Sequence, residues 1–187
     1  MVQNYKEILY DNERIETNRL ILRRARKYDV DDILEYASDA KTVEYLDWDG
    51  ANTAEKVMQD IIEFHWSRPG VWVIELRENL KCIGTIDIRV EKEHDKASFG
   101  YVLNRNYWNR GYMTEALSVL VKLGFEKLDL NRIETFHYIG NEASGRVMQK
   151  SGLIFEGISV QGVKVKGTFR DVARYGVTKA KWIENNR

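Results

Sequence analysis

Hydrophobic and polar positions change period several times along the chain. Arg19-Leu20-Ile21-Leu22-Arg23 is a short apolar run between charges and predicts a first strand. Asp29 or Asp31 can cap a helix reaching about Tyr36, with Ile33 and Leu34 facing inward. From Ala54 to Trp66, apolar residues Val57, Ile61, Ile62 and Phe64 recur at near-helical spacing, and Pro69-Gly70 stops that helix. Thr53 followed by Lys56 is not a capping box, but Glu55 brings negative charge to the first turn.

Strand patterns follow. Val71 to Leu76 is one. Cys82 to Val90 alternates Gly84, Ile86, Ile88 and Val90 against Ile83, Thr85, Asp87 and Arg89, which predicts a half-exposed strand. A charged turn from Glu91 to Lys96 leads into Ala97–Leu103, completing an antiparallel meander. The period then lengthens. A helix beginning near Met113 carries Met113, Leu117, Leu120, Gly124 and Leu128 on one stripe. Strand Arg132 to Ile139, a short helix Asn141 to Ser151, and strands Ile154 to Val160 and Phe169 to Thr178 complete the order. Mixed order of this kind predicts an α+β fold with helices covering a mostly antiparallel sheet.

Composition narrows this. The 187 residues suit one domain, here 16–180, with 1–15 as an N-terminal extension of helical character. Acidic and basic residues balance at 29 each, so no bulk field recruits nucleic acid or an anionic membrane. The lone Cys82 excludes an intrachain disulfide and a cysteine zinc site, and His65, His94 and His137 show no ligand spacing, so no metal is expected. There is no membrane-length apolar run and no apolar signal-peptide core at the N-terminus, so a cytoplasmic protein is expected.

Candidate chemistry starts at the mouth of the central helix. Gly111 permits a left-handed backbone, Arg110 adds positive charge, and the first helical turn offers unpaired N–H groups. These features suit an anion, most simply a phosphate. The sequence is no Walker A loop, and no GxGxxG opens a helix after a parallel strand.

Several segments fall in a characteristic order: 16–23, Gly100-Tyr101-Val102-Leu103, Tyr107-Trp108-Asn109-Arg110-Gly111-Tyr112-Met113-Thr114-Glu115-Ala116, Leu130 to Glu134, Asn141 to Met148, Gly152-Leu153 with Glu156-Gly157, and Gly167 with Asp171. Together they resemble the GNAT N-acetyltransferases, and within them the ribosomal-protein N-terminal acetyltransferase branch (RimJ/RimL-like). The resemblance implies the acyl-CoA N-acyltransferase fold, a twisted mixed sheet flanked by helices, with acetyl-CoA as donor. It implies that amides of Asn109, Arg110, Gly111, Tyr112, Met113 and Thr114 hold the diphosphate. The backbone of Val102 and Leu103 would pair with the pantetheine arm as a pseudo-strand, and Asn141 would bond that arm. Met113 stands where relatives carry Gly or Ala, its bulk free to point outward; Trp108 stands where they carry Gln or Arg. Homodimers are common among such relatives.

Acyl transfer needs a neutral amine, a stabilised oxyanion and a protonated thiolate. Ser144 resembles the serine this branch places near the thiol; the tyrosine many relatives use for that purpose is replaced by Met148. The usual glutamate before the Gly-Tyr pair is replaced by Ser98-Phe99, leaving Asp87 and Glu134 as candidate bases. An α-amine titrates near pH 8 and is roughly a tenth neutral in the cytosol, whereas a lysine near 10.4 is neutral in about one part in a thousand. A weak base therefore favours a protein N-terminus over lysine as acceptor. A small amine such as a polyamine or aminoglycoside, or a non-catalytic acyl-CoA sensor, are the alternatives. Tyr45, Trp48, Trp66 and Trp72 fall in the half that forms the acceptor side in the family. The two acids of Tyr45-Leu46-Asp47-Trp48-Asp49 suit a positive amine.

Overall fold

In chain order, α1 is Tyr5–Asp11, β1 Ile15–Glu16, β2 Leu20–Arg23, α2 Val30–Ala37, α3 Ala40–Val43 and α4 Ala54–Asp60. Then come β3 Val71–Leu76, β4 Cys82–Glu91, β5 Lys96–Leu103, α5 Tyr112–Glu126 and β6 Arg132–Tyr138. The order ends with α6 Glu142–Lys150, β7 Ile154–Val165, β8 Thr168–Thr178 and α7 Lys179–Asn185. The computed structural model describes residues 4–186. The strands are mostly antiparallel, with β5 and β6 as a parallel pair, and helices flank them. This is the α+β architecture that the pattern predicts.

The chain divides into two units. The first takes residues up to Ile88 together with Gly100–Tyr112. Its strands pair β1–β2, β2–β3 and β3–β4, with Leu20 opposite Leu76 and a register shift at Ile74/Glu75. The half-exposed strand expected over 82–90 is corrected here: β4 is buried on both faces from Cys82 to Ile88. Alternation cannot reveal a second cover, and here there are two. On one face Tyr36 of α2 bonds Thr85 (Oη–Oγ1 2.9 Å), within a core of Ile33, Val57, Ile61 and Val73. On the other, Gly70 is pressed between Ile88 and Leu9 of α1, where a Cβ would lie 2.9 Å from Ile88 Cγ2. The Trp72 indole donates to the Asn12 carbonyl at 3.0 Å. The N-terminal helix is thus seated on this sheet.

The helix expected over 54–66 is α-helical only to Asp60. Thr53 Oγ1 caps it at the Lys56 N–H, and Ile61–His65 continue as a π-helical turn that turns Ile61 and His65 inward.

The second unit takes Arg89–Phe99 and the residues from Met113 on. Here β6 pairs antiparallel with β8 along its whole length, from Arg132 opposite Thr178 to Tyr138 opposite Val172. β7 pairs with β8 through irregular steps at Phe155/Gly157 and Ser159/Val163, and runs five residues past the expected end at Val160. Met113, Leu117, Leu120 and Gly124 of the expected stripe are buried on α5, Leu128 is buried past the helix end at Glu126, and Gly124 lets the helix approach Ile133.

Candidate active site

The loop between β5 and α5 is held by its own polar groups and its neighbours in the first unit. Asn104 Oδ1 accepts the Asn106 N–H at 3.0 Å and starts a short 3-10 turn over Arg105–Tyr107. The Asn104 and Asn106 amides both donate to Glu35 of α2, at 2.9 and 3.2 Å. Trp108 spends its indole N–H on the Leu103 carbonyl at 2.7 Å. Asn109 (φ 59°) and Gly111 (φ 78°) are both left-handed, and the helix begins at Tyr112. Helix geometry leaves the N–H groups of residues 111–114 without intrahelical carbonyls. Arg110 lies over the Tyr107 ring at 5.5 Å. The Met113 side chain does not point outward as expected; it is buried in the helix stripe, so only its main chain is available at the mouth.

Val102 and Leu103 lie at the end of β5. Gly84 passes so close that a Cβ there would stand 2.4 Å from the Val102 carbonyl oxygen, which seats this end of the strand against β4. The ladder of β5 with β6 is two residue pairs long, Lys96 with Arg132 and Ala97 with Ile133. Gly100–Leu103 lie outside it, which leaves that stretch of strand edge to an extended partner.

In the second unit Asn141 is the N-cap of α6: its Oδ1 accepts the Ser144 N–H at 3.3 Å. The carboxamide Nδ2 remains to donate to a carbonyl. Ser144 is half-buried at the third helical position, one turn from the cap. The next residue, Gly145, is buried; a Cβ there would fall 2.6 Å from His137 Nε2 and 3.0 Å from Tyr175 Oη. That close seat fixes the start of α6, and Ser144 with it.

A family model described as an acetyltransferase (GNAT) domain matches residues 19–154. The chain belongs to the GNAT acetyltransferase family. A Bacillus subtilis N-acetyltransferase of uncharacterized function, YoaA, is 31% identical over 170 residues, 88% of this chain and 96% of its own. YdaF of the same organism, offered by name as a ribosomal N-acetyltransferase, is 31% identical over 93 residues, about half of each chain (50% and 51%). A GNAT-family acetyltransferase from Bacillus anthracis superposes with a TM-score of 0.81 at 25% identity, covering 89% of this chain and 99% of its own. The chain is therefore an acetyltransferase, and GNAT enzymes take their acetyl group from acetyl-CoA.

The residues present fit that donor. A diphosphate needs facing donors, and the 111–114 amides with Arg110 supply donors and charge; Arg105 is paired with Asp39 at 3.1 Å, and no acid lies between Arg105 and Thr114 in the sequence. Among the described residues no group of three or more His, Cys, Asp or Glu could hold a metal ion. No described helix is long and apolar enough to cross a membrane.

The two carboxylates singled out from sequence sit differently in this acetyltransferase. Asp87 is buried on β4 and bonds Arg68 Nη2 at 3.1 Å. Glu134 on β6 is clamped by Lys96 Nζ and Arg132 Nε, each at 2.8 Å. The Lys96 bond, then that of Arg132, holds its carboxyl below the usual carboxylate range. Two loop-organising residues escaped the sequence reading as site residues. Glu35 is ionised more readily through Lys81 first and Asn104 next, and Arg19 touches the loop from β2's approach. Arg19 falls within the family-like segment 16–23, and no sequence signal marks Glu35.

Proposed function

We propose that this acetyltransferase moves the acetyl group of acetyl-CoA to the α-amine of a protein or peptide, in the manner of the ribosomal-protein N-terminal (RimJ/RimL-like) branch. The observation that carries the reading is the state of the carboxylates. The glutamate common in relatives is Ser98-Phe99 here. Glu134 is tied to two cations and held a weak base, and Asp87 is buried against Arg68. An acceptor that is already partly neutral suits such a site, and an α-amine meets that need far better than lysine. The name borne by YdaF supports the same class.

In this reading the main chain of Asn109, Arg110, Gly111, Tyr112, Met113 and Thr114 binds the diphosphate, Val102 and Leu103 pair with the pantetheine arm, and Asn141 Nδ2 donates to one of its carbonyls. The thioester supplies an activated acyl carbon, so orientation does much of the work. The amine nitrogen adds to the thioester carbon and forms the C–N bond; as the C–S bond then breaks, the Ser144 hydroxyl gives its proton to the departing sulfur and regains one from solvent. Water takes the proton that the amine loses, with Asp87, paired with Arg68, as the alternative base. Glu134 is left as a structural ion-pair partner.

Thiol release from acetyl-CoA, measured with free N-terminal peptides, Nα-blocked lysine peptides and spermidine, tests this. Release only with free N-termini is expected; release only with spermidine moves the enzyme to small amines, and none with any amine leaves a sensor. Ser144→Ala should bind coenzyme A normally and turn over about a hundredfold more slowly. Unchanged turnover would remove Ser144 as the acid.

A further inference from the structure

The loop that meets the donor is built on by a residue 91 positions earlier in the chain. Arg19 Nη1 donates to the Arg110 carbonyl at 2.9 Å. Its guanidinium carbon stands 4.5 Å over the centroid of the Tyr112 ring. Its other terminal nitrogen is the one neighbour that a Cβ on Gly111 would meet within 4 Å, at 3.5 Å. One side chain therefore touches three consecutive residues at the helix mouth: the carbonyl of the first, the Cα side of the second and the ring of the third. Arg19 is itself anchored, since its carbonyl accepts the Arg77 N–H at 3.0 Å.

This arrangement has a directional consequence. A trans peptide is planar, so the C=O of Arg110 and the N–H of Gly111 point in opposite directions. Holding the carbonyl toward Arg19 aims the Gly111 N–H away from it. The left-handed Gly111 cannot hold this orientation on its own, because glycine crosses freely between φ values of either sign. The planar guanidinium can, because it donates in its plane and stacks with its face at the same time. Lysine can donate or lie over a ring but cannot do both from fixed positions.

We propose that Arg19 is a positioning residue for donor binding: it fixes the Arg110–Gly111 peptide so that the Gly111 amide faces the diphosphate before the donor arrives. The proposal rests on the reading of residues 109–114 as the diphosphate loop. Arg19 itself bonds the loop and not the donor, so its effect passes through the amide that it orients.

The test pairs calorimetry of coenzyme A binding with amide NMR of the 15N-labelled full chain, for wild type, Arg19→Gln and Arg19→Lys. Wild type should bind coenzyme A with a large downfield shift of the Gly111 amide. Arg19→Gln should raise Kd about tenfold, the loss of roughly one charge-assisted bond to a phosphate. At saturating coenzyme A its Gly111 shift should shrink, while Val102 and Asn141 move as in wild type. Arg19→Lys keeps the charge and should recover only part of the affinity. Thermal unfolding of each variant separates this from general damage, which would lower stability and disturb all loop resonances alike.

Wild-type protein that fails to bind coenzyme A would sink the donor site itself. Tight wild-type binding with equal affinity in Arg19→Gln would sink only the role of Arg19. So would full rescue by lysine, since charge and not orientation would then be what matters. An unchanged Gly111 shift in a weakened Arg19→Gln complex would have the same meaning.

Discussion

Two regions of the first unit solve opposite problems. The frame around Arg23 buries charge, and the loop from Asn104 to Tyr112 exposes main chain. In the frame, Arg23 on β2 donates to Glu75 at 2.7 Å and to both oxygens of Asp29 at 2.8 and 2.7 Å, all three residues nearly inaccessible. Burial alone would lower the guanidinium pKa; the bonds to Asp29 and Glu75 outweigh it and hold the group above its ordinary range. Neighbouring Cys82 has its thiol pushed up by the same burial. In the loop, side chains serve the backbone: Glu35, Asn104, Trp108 and Arg19 all hold main chain or its immediate supports. The frame therefore carries stability and, in the proposed function, the loop carries binding, so mutations should separate the two.

The largest expected effect breaks the frame. Arg23→Met would leave two buried carboxylates facing each other without their cation, at a cost of about 3–5 kcal/mol. Urea unfolding should show the midpoint fall with little change in slope. Coenzyme A affinity of the protein that stays folded should hold. A stability loss under about 1 kcal/mol would mean that the triad is wetter than its burial implies.

A slightly smaller effect depends on pH. His65 faces inward from the π-helical turn, and its Nδ1 has no hydrogen-bond partner. Burial first, only partly offset by Asp29 and Asp60, lowers its pKa from 6.5 to about 4. The folded pKa lies below the unfolded value, so the unfolded chain takes up the proton first as pH falls. Stability is fully present above pH 6.5 and is lost progressively down to about pH 4, by on the order of 3 kcal/mol. His65→Leu should flatten that part of the pH–stability curve and leave only the carboxylate titrations. Parallel curves for the two proteins would show that His65 charges freely in the fold.

The sequence was informative where function uses periodicity or glycine, and silent where it uses distance. The α5 stripe and Gly111 were visible because a helix repeats and a left-handed turn selects its residue. The burial of Asp87 was not, because alternation in β4 looks the same whether one face is covered or two. Glu35 reaches Asn104 across 69 positions and Arg19 reaches Arg110 across 91, and no local pattern encodes such contacts. The end of β7 beyond Val160 was lost for a different reason. Gln161-Gly162 and the lysines after it are solvated in a two-stranded ribbon, so they read as loop. Likewise α7 has no buried residue, and its large apolar side chains, Trp182 and Ile183, are adjacent and mark no helical period. The proposed site was legible as a set of ordered segments more than as chemistry, since the donors assigned to it are amides that every residue except proline carries.

The smallest effect is also the one that tests the comparison most directly. Gly111 has open space around it, with only Arg19 Nη2 near a would-be Cβ at an ordinary 3.5 Å, so alanine there meets no clash. It meets strain instead, because φ is 78° and an L-residue in that region costs roughly 1–2 kcal/mol. Gly152 makes the matched control: φ is 91° and nothing lies within 4 Å, so alanine carries similar strain in the turn after α6. Gly152→Ala should lose about 1 kcal/mol in unfolding free energy and keep its affinity for coenzyme A. The loop variant can escape its strain by turning the 110–111 peptide, and that rotation spoils the amide proposed to meet the diphosphate. Gly111→Ala should therefore lose little stability and bind coenzyme A about tenfold more weakly. If both variants lost only stability, the left-handed turn at 111 would be a shape requirement of the chain and not a binding device.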